Sequence, residues 1–198
     1  MSLNYPASIV MVMRAFFAID LNNKAVIGRI LEVQRRISLS GADVKHVEPE
    51  NLHFTIKFLG EISDVQAQDL WRRVSDISVS PINITYKGIG SFPSPHRISV
   101  IWIGVDREGG EALRSLAHEV EKRLMGLVLG DTKPFQPHLT ITRVKSGRNR
   151  EGLLKVIEAL RDVEFGKDTL TALKLKKSDL TPQGPVYTDI YTLRFQGV

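Results

Sequence analysis

Cysteine is absent from the 198-residue chain. That excludes disulfides, thiolate nucleophiles and cysteine-held zinc or iron–sulfur centres. Long apolar runs are also missing: nothing approaches the ~20 uninterrupted residues that a membrane span requires. The stretch from Ile9 to Ile19 is short and broken by Arg14. It also lacks the basic start and small-residue cleavage site of a secretory signal. A cytoplasmic location without membrane contact is therefore expected. No low-complexity segment or flexible linker interrupts the chain, and Gly109-Gly110 is not followed by the Lys-Ser or Lys-Thr of a phosphate-binding loop.

The remaining composition is that of a soluble globular protein, 42% apolar and 25% charged. The length suits one domain of ordinary size or two small lobes sharing a core. Residues 1–12 read as an N-terminal extension and 13–198 as a single domain. A net charge of +5 gives weak support for an anionic partner such as RNA or a nucleotide.

Histidine is scarce, five in the chain, and two of the five sit in matching contexts. One is in Asn51-Leu52-His53-Phe54-Thr55-Ile56-Lys57-Phe58-Leu59-Gly60, the other in Pro137-His138-Leu139-Thr140-Ile141-Thr142-Arg143-Val144. With 10 threonines in the chain, one His-apolar-Thr-apolar match arises by chance in roughly 0.04 copies, and two in on the order of one chain in a thousand. A single copy would be read as a half-buried strand with a satisfied histidine; the duplication argues otherwise. On regular strands the two-residue period places His53 with Thr55, and His138 with Thr140, on one face.

The surroundings repeat too. Phe16 to Asp20 reads as a first strand, followed by an amphipathic helix over 22–38 (Val26, Ile30, Val33, Ile37) and then the His53 strand. Ser63 caps a helix over 64–77. A strand Ile82 to Ile89, a turn-rich segment 90–97 and a central strand Ile98 to Val105 follow. A helix over 109–127, a loop through Asp131 and Pro134, and the His138 strand repeat the order. A helix Arg150 to Leu160 and two strands, Leu170 to Lys176 and Tyr187 to Phe195, joined by a turn at 181–185, complete the chain. Phe17 precedes His53 by 36 residues, and Trp102 precedes His138 by 36. The expected fold is α+β, a bilobal pseudo-two-fold duplication with two mainly antiparallel sheets flanked by helices and a central cleft.

On these residues, with Phe-Phe-Ala-Ile-Asp at 16–20 and Ser178-Asp179-Leu180 through Gly184-Pro185-Val186-Tyr187, the chain from about Met13 to Phe195 resembles the 2H phosphoesterase superfamily. Within it the resemblance is to the RNA 2′,3′-cyclic phosphodiesterase family, historically called 2′-5′ RNA ligases. One departure is His46, where that family frequently carries Trp. The resemblance implies RNA with 2′,3′-cyclic phosphate ends, or cyclic nucleotides, as substrate. It also implies His53 as proton donor to the leaving 3′-oxygen and His138 as the base on water, giving a 2′-phosphate.

Opening a cyclic phosphate calls for a base on the attacking water and an acid on the departing oxygen. Histidine, with an ordinary pKa near ~6.5, serves either role. Thr55 and Thr140 are the candidate hydrogen-bond donors to the non-bridging oxygens. Lys57 shares the parity of His53 and Thr55 and is a candidate substrate contact, with a solvated strand position as its bland reading. Arg143 occupies the family's position but has the wrong parity on a regular strand, and reaches phosphate only if the strand ends or bulges. Phe92 and Tyr187 read as packing residues that could stack a base; His96 and His118 read as surface or packing residues. The ligand types are too dispersed for a metal site, so neither metal nor cofactor is expected, and a monomer is assumed. Alternatives are 2′-5′ ligation of tRNA fragments, with a 5′-hydroxyl as nucleophile at the same site, a non-catalytic module that binds RNA ends, and a structural interaction domain.

Overall fold

Alternation in the first strand decides where the core lies. Phe17 and Ile19 point inward and are fully buried, while Phe16, Ala18 and Asp20 take the opposite face. The structure, a computed structural model, describes residues 12–128, 134–182 and 184–197. The expected extension lies outside the described residues except for Val12, which begins the first strand; Asp131 and Gln183 also lie outside them.

Nine strands form two antiparallel sheets among the described residues. The first has β3 (His53–Ser63), β1 (Val12–Asp20), β8 (Ala172–Thr181) and β9 (Gly184–Arg194) in that order. The second has β2 (Val44–His46), β6 (Leu139–Val144), β5 (Arg97–Val105), β4 (Ile82–Ser94) and β7 (Glu164–Leu170). The fold is thus the expected α+β duplication. Two expectations change. The segment 90–97 is not a free-standing loop, because β4 runs through Ser94 and turns directly into β5. The strands β2 and β7 were not anticipated: one is three residues long, and the other mixes Gly, Lys and Asp into an edge position that tolerates them.

Four helices cover the sheets among the described residues, and each begins near where its sequence signals place it. Asn23 accepts hydrogen bonds from the Ala25 and Val26 amides at the start of α1 (Lys24–Leu39). Ser63 and Gln66 form a reciprocal capping box on α2 (Asp64–Val74), and Asp106 accepts from the Gly109 amide at α3 (Arg107–Leu124). The last helix, α4 (Arg150–Ala159), buries Leu153. No helix of the described residues is long and apolar enough to cross a membrane.

The helices do not stay with the sheets that precede them. α1 follows β1 of the first sheet yet packs on β6 and β7 of the second, beside α4. α3 follows β5 of the second sheet and packs against β3 and α2 as well as β4. The crossing lets β3 and β6, the two histidine strands, run close to one another.

One polar side chain ties α1 to this arrangement. Gln34 is 5% exposed, and its amide nitrogen donates to the carbonyls of Val47 and Ile141, each at 2.9 Å. An apolar residue of similar size would strip a donor from both buried carbonyls. Gln34→Leu is therefore expected to cost about 1–3 kcal/mol, read as a lower denaturant midpoint with unchanged m-value. An unchanged midpoint would show that the two bonds contribute nothing net.

Candidate active site

Each histidine strand carries one extra residue, and the extra residue sits at the same place in both. Against β1, Thr55 pairs with Ala18 while Lys57 pairs with Phe17, leaving Ile56 inserted. Against β5, Thr140 pairs with Trp102 while Thr142 pairs with Ile101, leaving Ile141 inserted. Such a bulge reverses the face taken by the residues that follow it, up to any further insertion. In the first strand Lys57 is turned inward and Phe58 outward; 85 residues on, Thr142 is turned inward and Arg143 outward. The parity assigned to Lys57 from a regular strand is thereby corrected: the side chain is 1% exposed and its ammonium meets Glu121 of α3 at 2.5 Å. Arg143 gains the cleft-facing position that a regular strand would deny it. A second insertion at Leu59 precedes Gly60, whose φ of +75° explains the glycine closing the first motif.

The two imidazoles are held alike. The Nδ1–H of His53 donates to the Asn51 carbonyl at 2.7 Å, and that of His138 donates to the Gln136 carbonyl at 2.7 Å. In the neutral form this fixes the proton on Nδ1 and leaves a lone pair on each Nε2. An aromatic edge supports each ring: Tyr187 lies 5.2 Å from His53 and Phe92 lies 5.0 Å from His138, both T-shaped. The packing reading of these two aromatics is therefore the one the geometry favours. The halves differ in one bond. The Thr55 hydroxyl lies 3.1 Å from His53 Nε2; among the described residues no such bond joins Thr140 to His138.

Charge is distributed unequally around the pair. Asp20, opposite His53 in the β1–β3 register, joins Asp189, Lys174 and Lys176 in a closed ring of four ion pairs spanning 2.5–2.9 Å. Burial raises the Asp189 pKa, but hydrogen bonds from Lys174 and Lys176 outweigh it and leave the carboxyl below its ordinary range. Burial pushes the His53 imidazole below its ordinary value, and the Lys176 and Arg143 cations add to that; the Asn51 carbonyl and Asp20 oppose it. The influence of Arg143 extends to Tyr187 as well, where it opposes the upward push of burial on the phenol.

His46 has a bridging place that the sequence left open. Its Nε2 meets the Ser38 hydroxyl at 2.7 Å and its Nδ1 meets Thr142, the inward-turned residue of the second bulge, at 2.9 Å. Burial lowers its pKa, with Glu48 opposing.

His53, Thr55, His138, Thr140 and Arg143 all line a single cleft of ≈ 1560 Å³. Lys57 borders it through the same strand, with its ammonium committed to Glu121. The residue that motif reading missed is Phe58. Its ring is 67% exposed in the cleft, 6.2 Å from Phe16, which in turn lies 5.1 Å from His53. Regular parity would have buried it, so only foreknowledge of the bulge could have found it. No group of three or more His, Cys, Asp or Glu placed to hold a metal occurs among the described residues.

Two half-sites, each a bulged strand with a clamped histidine, define a duplicated phosphoesterase fold. Residues 19–102 and 103–187 each match the LigT-like phosphoesterase family, and the chain belongs to that family. Among its relatives, an RNA 2′,3′-cyclic phosphodiesterase of Methanothermobacter thermautotrophicus is 37% identical over 186 residues, covering 93% of this chain and 100% of the relative. One of Methanocaldococcus jannaschii is 39% identical over 175 residues, covering 88% and 96%. A crystal structure of a Thermus thermophilus protein superposes with a TM-score of 0.75 at 28% identity, over 93% of this chain and 99% of that one. That of E. coli LigT complexed with 3′-AMP, at 23% identity and a TM-score of 0.76 over 94% and 99%, shares the fold.

The depressed His53 pKa has a direct readout. An NMR titration of its ring protons is expected to give a midpoint below the ordinary ~6.5, and inorganic phosphate bound in the cleft is expected to raise it by opposing charge. By linkage the neutral ring stabilises the fold above pH ~6.5, and that contribution is lost as pH falls through the lower folded value. A midpoint at or above the ordinary value would contradict this account.

Proposed function

We propose that the protein hydrolyses the 2′,3′-cyclic phosphate ends of RNA to 2′-phosphates by acid–base catalysis between His53 and His138. What carries this reading is the pair of imidazoles lining one cleft, each with its Nδ1–H held by a backbone carbonyl two residues earlier. The names of the two archaeal relatives support the same substrate.

In this reading His138 Nε2 takes a proton from water as the oxygen attacks phosphorus in line. The P–O3′ bond breaks, and His53 Nε2–H gives its proton to O3′, leaving a free 3′-hydroxyl and a 2′-phosphate. Thr55 and Thr140 donate to the non-bridging oxygens, and Arg143 neutralises the charge that grows on them. Lys57 is not assigned a phosphate contact, because its ammonium faces Glu121. His53 must be protonated to act as the donor, against the pull of burial. The anionic substrate favours that proton, since opposite charge raises a histidine pKa. The cleft's ≈ 1560 Å³ exceeds the roughly 300–1,000 Å³ typical of small-ligand pockets, which favours an RNA end over a cyclic mononucleotide. The same steps with a 5′-hydroxyl in place of water, its proton passing to His138 as O5′ attacks phosphorus and O3′ departs, would form a 2′-5′ link.

His53→Ala and His138→Ala are each expected to lower kcat about 10²- to 10⁴-fold on RNA ending in a 2′,3′-cyclic phosphate, with chelator leaving the wild-type rate unchanged. A substrate with sulfur at the 3′-bridging position separates the roles, since thiolate departs without a proton. It should restore the rate of His53→Ala and not of His138→Ala; rescue of the other variant would reverse the assignment. Wild-type rates in both variants would end the proposal.

The exposed Phe58 ring offers a face for a nucleobase, whose stacking is worth about 1–3 kcal/mol. Phe58→Ala is therefore expected to raise KM for RNA about 5- to 150-fold while kcat holds; an unchanged KM would leave the ring without a base.

A further inference from the structure

Outside the cleft the chain's excess charge is concentrated in one place. Residues 144–155 carry Lys145, Arg148, Arg150 and Lys155 against Glu151, four basic side chains and one acidic, a net +3. The fold adds Arg97, at the start of β5, to this group. Arg97, Lys145, Arg148 and Arg150 line a separate pocket of ≈ 270 Å³ with Ser99 and Ser146.

Among the described residues none of these four cations is in an ion pair, whereas Arg72, Arg73, Arg107, Arg123 and Lys176 all are. Arg150 is tied only to a neutral group, the His96 carbonyl, at 2.8 Å. The acidic residues beside the pocket are Asp43, whose backbone carbonyl accepts from the Lys145 amide, and Glu151. Gathering four like charges around one concavity is unfavourable unless an anion meets them. At ≈ 270 Å³ the space lies below the roughly 300–1,000 Å³ of pockets that enclose a whole ligand. It suits phosphate groups rather than a nucleotide.

Its position relative to the cleft is fixed by the strands. Arg143 and Val100, cross-strand partners, line the cleft; by alternation Val144 and Ser99, which line the pocket, take the other face, and Lys145 returns to the side of Arg143. Lys145 is two residues beyond Arg143, about 7 Å at the rise of a β-strand. A chain whose 3′ end is fixed in the cleft has only its 5′ direction left to run.

We propose that this basic pocket is a second contact for the RNA, holding backbone phosphates on the 5′ side of the cyclic phosphate, so that the protein prefers single-stranded oligonucleotides to cyclic mononucleotides. The proposal rests on the RNA-end reading above. Its affinity comes from phosphate charge, which carries no base preference.

The test uses Lys145→Ala/Arg148→Ala in the full chain, with Lys145→Arg/Arg148→Lys as the charge-preserving control. Substrates are a single-stranded RNA 12-mer ending in a 2′,3′-cyclic phosphate and 2′,3′-cyclic AMP. For the double alanine variant KM on the 12-mer is expected to rise about tenfold and the slope of log KM against log salt to fall by about 1.4, two phosphate contacts at ~0.7 each. Its kcat/KM on cyclic AMP should stay at the wild-type value, and the charge-preserving variant should behave as wild type. An unchanged KM and salt slope on the 12-mer would overturn the proposal, as would an equal loss on both substrates. If the wild-type protein turned over neither substrate, the functional reading would fail on its own. Fluorescence anisotropy with a labelled 12-mer ending in 2′-phosphate would then decide the pocket: weaker, less salt-dependent binding by the alanine variant supports it, and unchanged binding overturns it.

Discussion

An extra residue in each of two strands, Ile56 and Ile141, governs what faces the cleft. Before the insertion the strands are alike, each presenting a histidine and a threonine. After it the inward-turned residue needs a polar partner, and the two halves solve that differently: Lys57 takes Glu121 from α3, and Thr142 takes His46 from β2. The outward-turned residue is free to differ, and it is Phe58 in one half and Arg143 in the other. Near-symmetry of backbone thus coexists with asymmetry of chemistry. Only the Lys57 side of this pair is buried, Glu121 being 38% exposed, so loss of Glu121 would strand a buried ammonium whereas loss of Lys57 would leave a solvated carboxylate.

Much of this was legible from the residues. The stripes Val26-Ile30-Val33-Ile37 and Leu113-Leu116-Val120-Leu124 are buried as their spacing requires, and Ser63 caps where its position before Asp64 predicts. The repeated His-apolar-Thr motif marked both half-sites. What the sequence could not convey was the inserted residue, since nothing in Thr-Ile-Lys-Phe or Thr-Ile-Thr-Arg distinguishes a bulge from a regular strand. Lys57 was placed on the wrong face for that reason, Phe58 was overlooked, and Arg143 had to wait for the backbone. The strands β2 and β7 were missed on different grounds: their pairing depends on neighbours far away in the chain rather than on local propensity.

The electrostatics follow the same division between halves. His53 sits beside a closed ring of two carboxylates and two ammonium groups that spans β1, β8 and β9. Its position is set by strands at both ends of the sequence. Its charge state therefore answers to Lys176, 123 positions later in the chain, as well as to Asp20 and Arg143. Arg97, Lys145, Arg148 and Arg150, by contrast, gather at the separate pocket and make no ion pair among the described residues.

The crossing of the helices also limits how the cleft can move. The first sheet takes β3 from the first family repeat and β8 from the second, while the second sheet interleaves β2 and β4 with β6 and β7, and β5 crosses the boundary between the repeats. No line separates one repeat from the other without cutting backbone hydrogen bonds, and α1 is fastened by Gln34 to the bulge of the opposite half. A rigid-body motion of one repeat against the other would break sheet hydrogen bonds, so any opening of the cleft has to follow the boundary between the two sheets instead. Sequence duplication and mechanical division thus do not coincide: the units that could part are the two sheets, each drawn from both repeats.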